Sequence, residues 1–168
     1  LMRTADAFGI HKVDVYDKNE RFNVSSGISK GVEKWLDASF FNTYNDGSTK
    51  EWADQLKASG RKLYVTALDE GALPIDAIDP AIPAAILFGN EQEGASPLIQ
   101  ELADERIYIP MRGFVESFNV SVSCGIVLHH LTLGMEKAGI KRGLAPEDEL
   151  DTLINWALRT IPNPQRFI

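Results

Sequence analysis

The sequence predicts an α/β domain with a mainly parallel sheet flanked by helices. Three observations carry that expectation. Runs of strand length at residues 12–16, 62–67, 84–88 and 106–109 alternate with stretches of helical character. Residues 84–88 are apolar throughout and read as a buried strand. The 168 residues suffice for one full-sized core, and no repeat, low-complexity tract or long linker divides them, so residues 1–168 are expected to form a single domain.

Taken in order, residues 3–8 are helix-like, and Gly9 is placed to close that helix in a left-handed turn. Residues 12–16 alternate as a short strand, and residues 39–43 are a second candidate strand. Asn45-Asp46-Gly47 marks a turn. Ser48 with Glu51 fits a capping box, followed by Trp52, Ala53 and Leu56 on one helical face and Gly60 as the stop. Residues 62–67 and 84–88 are the next strands. Ser96-Pro97 supplies an N-cap and a first-turn proline for a helix through Asp104. Residues 106–109 form a strand stopped by Pro110, and residues 120–135 read as a buried helix. Pro146-Glu147 opens a last helix reaching to about Arg159, ended by Pro162 and Pro164.

Composition removes several classes. With 44% hydrophobic and 24% charged residues the chain is in the ordinary globular range. No apolar run reaches the roughly 18 residues of a membrane span, and no segment resembles a signal peptide. Cys124 is the sole cysteine, so it forms no internal disulfide and no cysteine cluster holds zinc; a reducing cytoplasm is the expected setting. His11, His129 and His130 show no metal-ligand pattern and are read as structural or surface groups, so no metal is expected. Cys124 is expected to be an inert core residue, and Trp35 a packing anchor after Ser25-Ser26-Gly27.

The net charge of −7, from 17 Lys+Arg against 24 Asp+Glu, argues against a general nucleic-acid coating protein. A local patch is still open to it. Glu147, Asp148, Glu149 and Asp151 crowd the C-terminal part, whereas Arg3, Lys12, Lys18, Arg21, Lys30 and Lys34 fall in the first 34 residues. A nucleic-acid surface, if one is present, should lie toward that basic end.

Ligands of open α/β sheets bind beyond the carboxyl ends of strands, and three segments there carry unusual chemistry. In residues 88–96, Gly89 and Gly94 bracket a polar loop between a strand and a helix start. Such a loop permits close backbone approach to a ligand and exposes free N–H groups, but a plain strand-to-helix turn is equally consistent. In residues 109–123, Ser117 and Asn119 stand where an N-cap is expected, and capping accounts for one of them. With Ser121 and Ser123 they make the mouth of an apolar helix more polar than capping requires. In residues 3–9, Arg3 with Asp6 three residues on fits an ordinary surface ion pair.

Together these segments resemble the three motifs of the SpoU/TrmH family of RNA 2′-O-methyltransferases, in the SPOUT superfamily. Arg-Thr-Ala-Asp-Ala-Phe-Gly at 3–9 is similar to the end of the first motif and residues 88–94 to the second. Residues 109–122, with Ser-Phe-Asn-Val-Ser-Val, are similar to the third and most specific. Order and spacing agree over nearly the whole chain. The asparagine that opens the family's first motif and the strand before it are not in this sequence, so a domain lacking its N-terminal strand is expected.

The resemblance implies a C-terminal deep trefoil knot, a homodimer and S-adenosyl-L-methionine as methyl donor. It implies a donor pocket at Thr66, Ala67, Gly89, Ile109, Met111 and Phe118, with backbone groups reading the adenine edge and apolar side chains covering its faces. It implies RNA as the partner, and a ribose 2′-hydroxyl as the methyl acceptor. The catalytic residues would be Arg3, Glu91, Ser117 and Asn119. Because a guanidinium stays protonated, Arg3 is read as holding an RNA phosphate and polarising the hydroxyl, the phosphate helping to take the proton. Asn119 would orient the ribose or the donor's tail, with Glu91 and Ser117 holding neighbouring groups. Gly-Val-Glu-Lys-Trp at 31–35 and the Arg-Thr-Ala-Asp-Ala start favour tRNA, at a D-loop guanosine, over ribosomal RNA. A non-catalytic RNA-binding protein of the same fold is the rival from another class.

Overall fold

The computed structural model describes residues 1–16, 31–41, 46–90 and 93–163. Lys18, Arg21, Ser25, Ser26, Gly27, Lys30, Asn42, Thr43, Asn45, Glu91 and Pro164, each given a reading from sequence, lie outside the described residues.

The chain opens with α1 (Met2–Ala7). Gly9 ends it at φ +73°, with Gly9 N–H donating to Asp6 O and Ile10 N–H to Ala5 O, the paired closure that a left-handed glycine permits. Strand β1 (Lys12–Tyr16) pairs in parallel with β2 (Asp37–Phe41), Val13 opposite Ala38 and Val15 opposite Phe40. β2 starts two residues before the expected Ser39. A 3-10 turn at Val32–Lys34 buries Val32, and Leu36 beyond it is buried too, bringing Asp37 N–H 2.6 Å from His11 O, where the ladder begins.

Helix α2 (Asp46–Ala58) begins ahead of Ser48, so Ser48 is inside the first turn and is not the N-cap. The Asp46-Gly47 pair expected to form a turn is helical instead; a common turn and the first turn of a helix share the same backbone region. Gly60, at φ +78°, stops the chain as expected.

Four strands follow: β3 (Lys62–Thr66), β4 (Leu73–Pro74), β5 (Ala84–Leu87) and β6 (Glu105–Tyr108). They form one sheet in the order β4-β6-β3-β5, with every pairing parallel. Helix α3 (Pro97–Leu102) joins β5 to β6, with Ser96 Oγ accepting from Ile99 N–H as its cap. It stops short of Asp104, whose carboxylate is taken by Leu63 N–H at 2.8 Å and Lys57 Nζ at 2.9 Å. Burial raises the Asp104 pKa, but these donors outweigh it and hold the group below its ordinary value.

Two further helices, α4 (Val120–Lys137) and α5 (Pro146–Thr160), complete the described chain. The β3 alternation feeds two cores. Leu63 and Val65 face Trp52, Ala53, Ala95 and Ile99 on the α2 and α3 side. Tyr64 points the other way, onto Ile107, Val127 and Leu131 on the α4 side. The sheet is thus covered on both faces, as parallel sheets require. β5 departs from expectation: it is one of the two edge strands and is only half-buried along its length. Trp35 does anchor packing, meeting Trp156 of α5 edge-on at 5.6 Å and accepting that indole N–H on its carbonyl at 2.8 Å.

Candidate active site

Strands β6, β3 and β5 are neighbours and run the same way, so their carboxyl ends open at one edge of the sheet. Thr66 ends β3 opposite Ile107, and Ala67 N–H donates to Ile107 O at 2.9 Å. Beyond β5, Gly89 N–H lies 3.4 Å from Thr66 Oγ1. The expected donor residues Thr66, Ala67 and Gly89, the last in the second motif, therefore meet at this edge, and the third motif leaves β6 at the same end.

The loop after β5 folds on itself. Asn90 and Gly94 exchange backbone hydrogen bonds of 3.2 and 3.0 Å, and Glu93 N–H donates to Asn90 Oδ1 at 2.6 Å. A Cβ at Gly89 would stand 2.3 Å from Ala95 N and Gly94 C, so only glycine allows the loop to return this closely. Gly94 turns the chain at φ +69°.

From β6, Ile109 packs on the α4-side core and Met111 is half-buried. Arg112 to Ser117 are exposed, with the Phe114 ring wholly in solvent and Val115 at 64% exposure. Phe118 returns to half-burial. Asn119 is the N-cap of α4, its Oδ1 accepting from Ser121 N–H at 2.9 Å, which decides between the two capping candidates in favour of Asn119 over Ser117.

Helix α1 lies along the same end of α4. Leu1 N–H donates to Ser121 Oγ at 2.8 Å, Thr4 approaches Gly125, and the Phe8 ring faces His129 with centroids 6.5 Å apart. Positions 121, 125 and 129 are successive turns of one α4 face, so the helices run side by side in the same direction. Arg3, exposed on α1, is thereby carried at the end where Asn119 caps α4. The Arg3–Asp6 ion pair that the spacing offered is not formed among the described residues.

The model of the SpoU rRNA Methylase family matches residues 1–129. The chain belongs to that family. It is 31% identical over 157 residues to the tRNA (guanosine(18)-2'-O)-methyltransferase of Escherichia coli K12, covering 92% of this chain and 66% of that protein. Its structure is similar to the Aquifex aeolicus TrmH/SpoU tRNA modifying enzyme, with a TM-score of 0.83 and 29% identity, covering 96% of this chain and 81% of that one. It is also similar to the SpoU methyltransferase AviRb of Streptomyces viridochromogenes in complex with AdoMet, with a TM-score of 0.64, 25% identity, and coverage of 81% and 54%. The chain spans about two thirds of the E. coli relative.

Within the family frame, the six expected donor residues fall on adjoining strand ends and the loop before α4. Of the four expected catalytic residues, Arg3, Ser117 and Asn119 are all exposed, and Glu91 lies outside the described residues. Among the described residues no group of three or more His, Cys, Asp or Glu could hold a metal, and no helix is long and apolar enough to cross a membrane. Cys124 is buried at 3% exposure, and burial pushes its thiol pKa up, which disfavours the reactive thiolate. Sequence reading missed Arg142, which follows Lys141 in the loop after α4 and donates to the Phe8 carbonyl at the end of α1. Only its long-range partner distinguishes it from any surface arginine.

Proposed function

We propose that this domain transfers a methyl group from S-adenosylmethionine to a ribose 2′-hydroxyl of RNA, with a D-loop guanosine of tRNA as the favoured target. The observation that carries the reading is the meeting of all three family motifs: two at one sheet edge and the third on α1 beside α4. The similarity to tRNA-modifying relatives over 92% and 96% of this chain supports tRNA over ribosomal RNA.

The residues at the sheet edge fit the donor. Ile109, Met111 and Phe118 are half-buried apolar groups suited to the faces of an adenine. The tight return at Gly89 keeps backbone groups, rather than a side chain, at the end of β5. When bound, the donor supplies an electrophilic methyl on a sulfonium. The chain's own work is placement, which is where most of the gain in a transfer between two bound reactants arises. Arg3 holds an RNA phosphate and polarises the attacking hydroxyl while remaining protonated, and the phosphate helps to pass the hydroxyl proton to solvent as the methyl leaves the sulfonium for the oxygen. Asn119 presents its amide beside the reacting ribose, and Ser117 and Glu91 hold neighbouring groups.

The same reading includes a deep trefoil knot in the C-terminal part, a homodimer and a cytoplasmic setting. The dimer is supported by α5, whose Leu150, Leu153, Ile154 and Leu158 form one exposed apolar stripe at 60, 52, 48 and 37% exposure. A stripe with that spacing is what a partner helix covers.

Methyl transfer from labelled donor to separate tRNA and ribosomal RNA pools, followed by nucleoside mapping, tests the function. Label in 2′-O-methylguanosine of tRNA is expected. Label confined to ribosomal RNA moves the substrate, base methylation defeats the chemistry, and absence of S-adenosylhomocysteine binding by calorimetry favours a non-catalytic RNA binder. Arg3→Ala is expected to cut transfer to a slow residual rate, measurable in a single turnover, while leaving donor affinity intact.

A further inference from the structure

We propose that Arg142 is a positioning residue that clamps the far end of α1 and so sets where Arg3 stands against the start of α4. The inference rests on the role of Arg3 given above.

The geometry is specific. After α4, a left-handed Gly139 at φ +69° turns the chain back, with Ile140 N–H donating to Met135 O and Gly139 N–H to Glu136 O. Arg142 then reaches across 134 residues of sequence to donate to Phe8 O, the C-cap carbonyl of α1. The last carbonyls of a helix have no partner within it and carry its negative end, so a guanidinium there satisfies an acceptor and meets a favourable field. Gly9 belongs to the same joint. A Cβ at that position would sit 3.3 Å from Arg142 Nη2, and φ +73° already disfavours other residues.

The clamp matters because α1 is only six residues long and Ala5 is its one buried side chain. A helix of that length does not hold its own shape in water. Its described attachments to α4 run from Leu1–Ser121 through Thr4–Gly125 to Phe8–His129, and Arg142 closes the row at the C-terminal end. Arg3 sits within the first turn, at the opposite end. Releasing Phe8 lets α1 tilt about its N-terminal contact and moves the guanidinium relative to Asn119. Displacement of about 1 Å at a reacting group costs on the order of a hundredfold in rate.

The test uses Arg142→Met, which keeps an apolar stem without donors, and Arg142→Lys, which keeps one charged donor. Arg142→Met is expected to lower kcat by about ten- to a hundredfold. KM for tRNA and affinity for S-adenosylhomocysteine should stay within about twofold, the additivity limit for independent sites. Arg142→Lys should recover part of the loss. Amide exchange at Ala5–Ile10 should quicken in Arg142→Met, a readout independent of turnover. In single-turnover transfer, the Arg3→Ala/Arg142→Met double variant should be no slower than Arg3→Ala alone, because the clamp acts through Arg3. Losses that multiply overturn the proposal, as does unchanged kcat or unchanged exchange in Arg142→Met. Full transfer by Arg3→Ala instead overturns the role of Arg3, and the exchange result then reports on the clamp by itself.

Discussion

Gly89 and Asn119 show how one residue carries a structural and a chemical demand together. The bracketing glycines were legible in the sequence as a loop that lets backbone approach something, but what Gly89 approaches is its own loop at Gly94 and Ala95. Gly89→Ala forces a contact of 2.3 Å to relax. It is expected to cost about 1–3 kcal/mol, as overpacking does, and to weaken S-adenosylhomocysteine binding in calorimetry. Wild-type affinity in that variant would remove the loop from the donor site. Asn119 caps α4 through Oδ1, so Asn119→Ala confounds a lost cap with lost chemistry. Asn119→Ser separates them, since serine caps about as well as asparagine whereas alanine costs about 1 kcal/mol. Asn119→Ser should keep the melting temperature and still lose transfer, whereas retained transfer would make the asparagine a cap and nothing more.

At the scale of elements, most strands and helices were readable because burial and capping leave local marks. The stop at Gly9, the Ser96-Pro97 start and the Pro146 start are each chemistry confined to a few residues. What was not readable depended on partners elsewhere. β4 is two residues long and includes Pro74, so it has no period to detect and exists only because β6 lies beside it. The half-burial of β5 follows from its edge position, which an apolar run cannot announce. β1 adds a testable consequence. Its Tyr16 stacks on Phe41 at 5.4 Å and meets Trp52 edge-on at 5.1 Å, and Trp52 Nε1–H donates to Asp14 Oδ2 at 2.8 Å. The Tyr16 hydroxyl, Asp14 Oδ1 and Thr49 Oγ1 are buried without hydrogen-bond partners among the described residues. Burial pushes the Tyr16 pKa up to about 12; Thr49, close by but outside good hydrogen-bond geometry, draws it partway back, and Asp14 adds to the rise. The folded phenol holds its proton more tightly than the unfolded one, whose value is 10.0. The resulting stability is whole below that pH and is lost as pH climbs from about 10 toward 12. Tyr16→Phe should therefore flatten the alkaline fall in urea midpoint. At neutral pH it should be neutral or stabilising by about 1 kcal/mol, because an unpaired buried hydroxyl is removed. An alkaline limb as steep as wild type would show that Tyr16 is not the titrating group.

The whole molecule poses the question its acidic balance raised. A net charge of −7 leaves few places for RNA, and Arg3, Lys12 and Lys34 are the exposed cations of the first 34 residues that the structure describes. None of this was assembled by sequence alone, because proximity of α1 to α4 comes from three contacts spaced along both helices. The outer face of α5 poses the complementary question. Thr152 is buried, and Trp156 and Arg159 point inward, the latter to the Leu36 carbonyl and Asp37 of β2, so the helix docks by its polar and aromatic side. Its leucine and isoleucine stripe is left outward, which is the reverse of how an isolated amphipathic helix packs. Burying what these four side chains still expose returns a part of the roughly 1.5–3 kcal/mol that complete burial gives for each, a contribution that favours pairing of two copies. Leu153→Asp places a charge in the middle of the stripe and removes none of the hydrogen bonds by which Trp156 and Arg159 dock α5. In sedimentation it is expected to convert a dimer to a monomer, and its melting temperature should cease to depend on protein concentration. A variant that sediments as wild type, whether both are monomers or both dimers, would mean that the stripe is not where two copies meet.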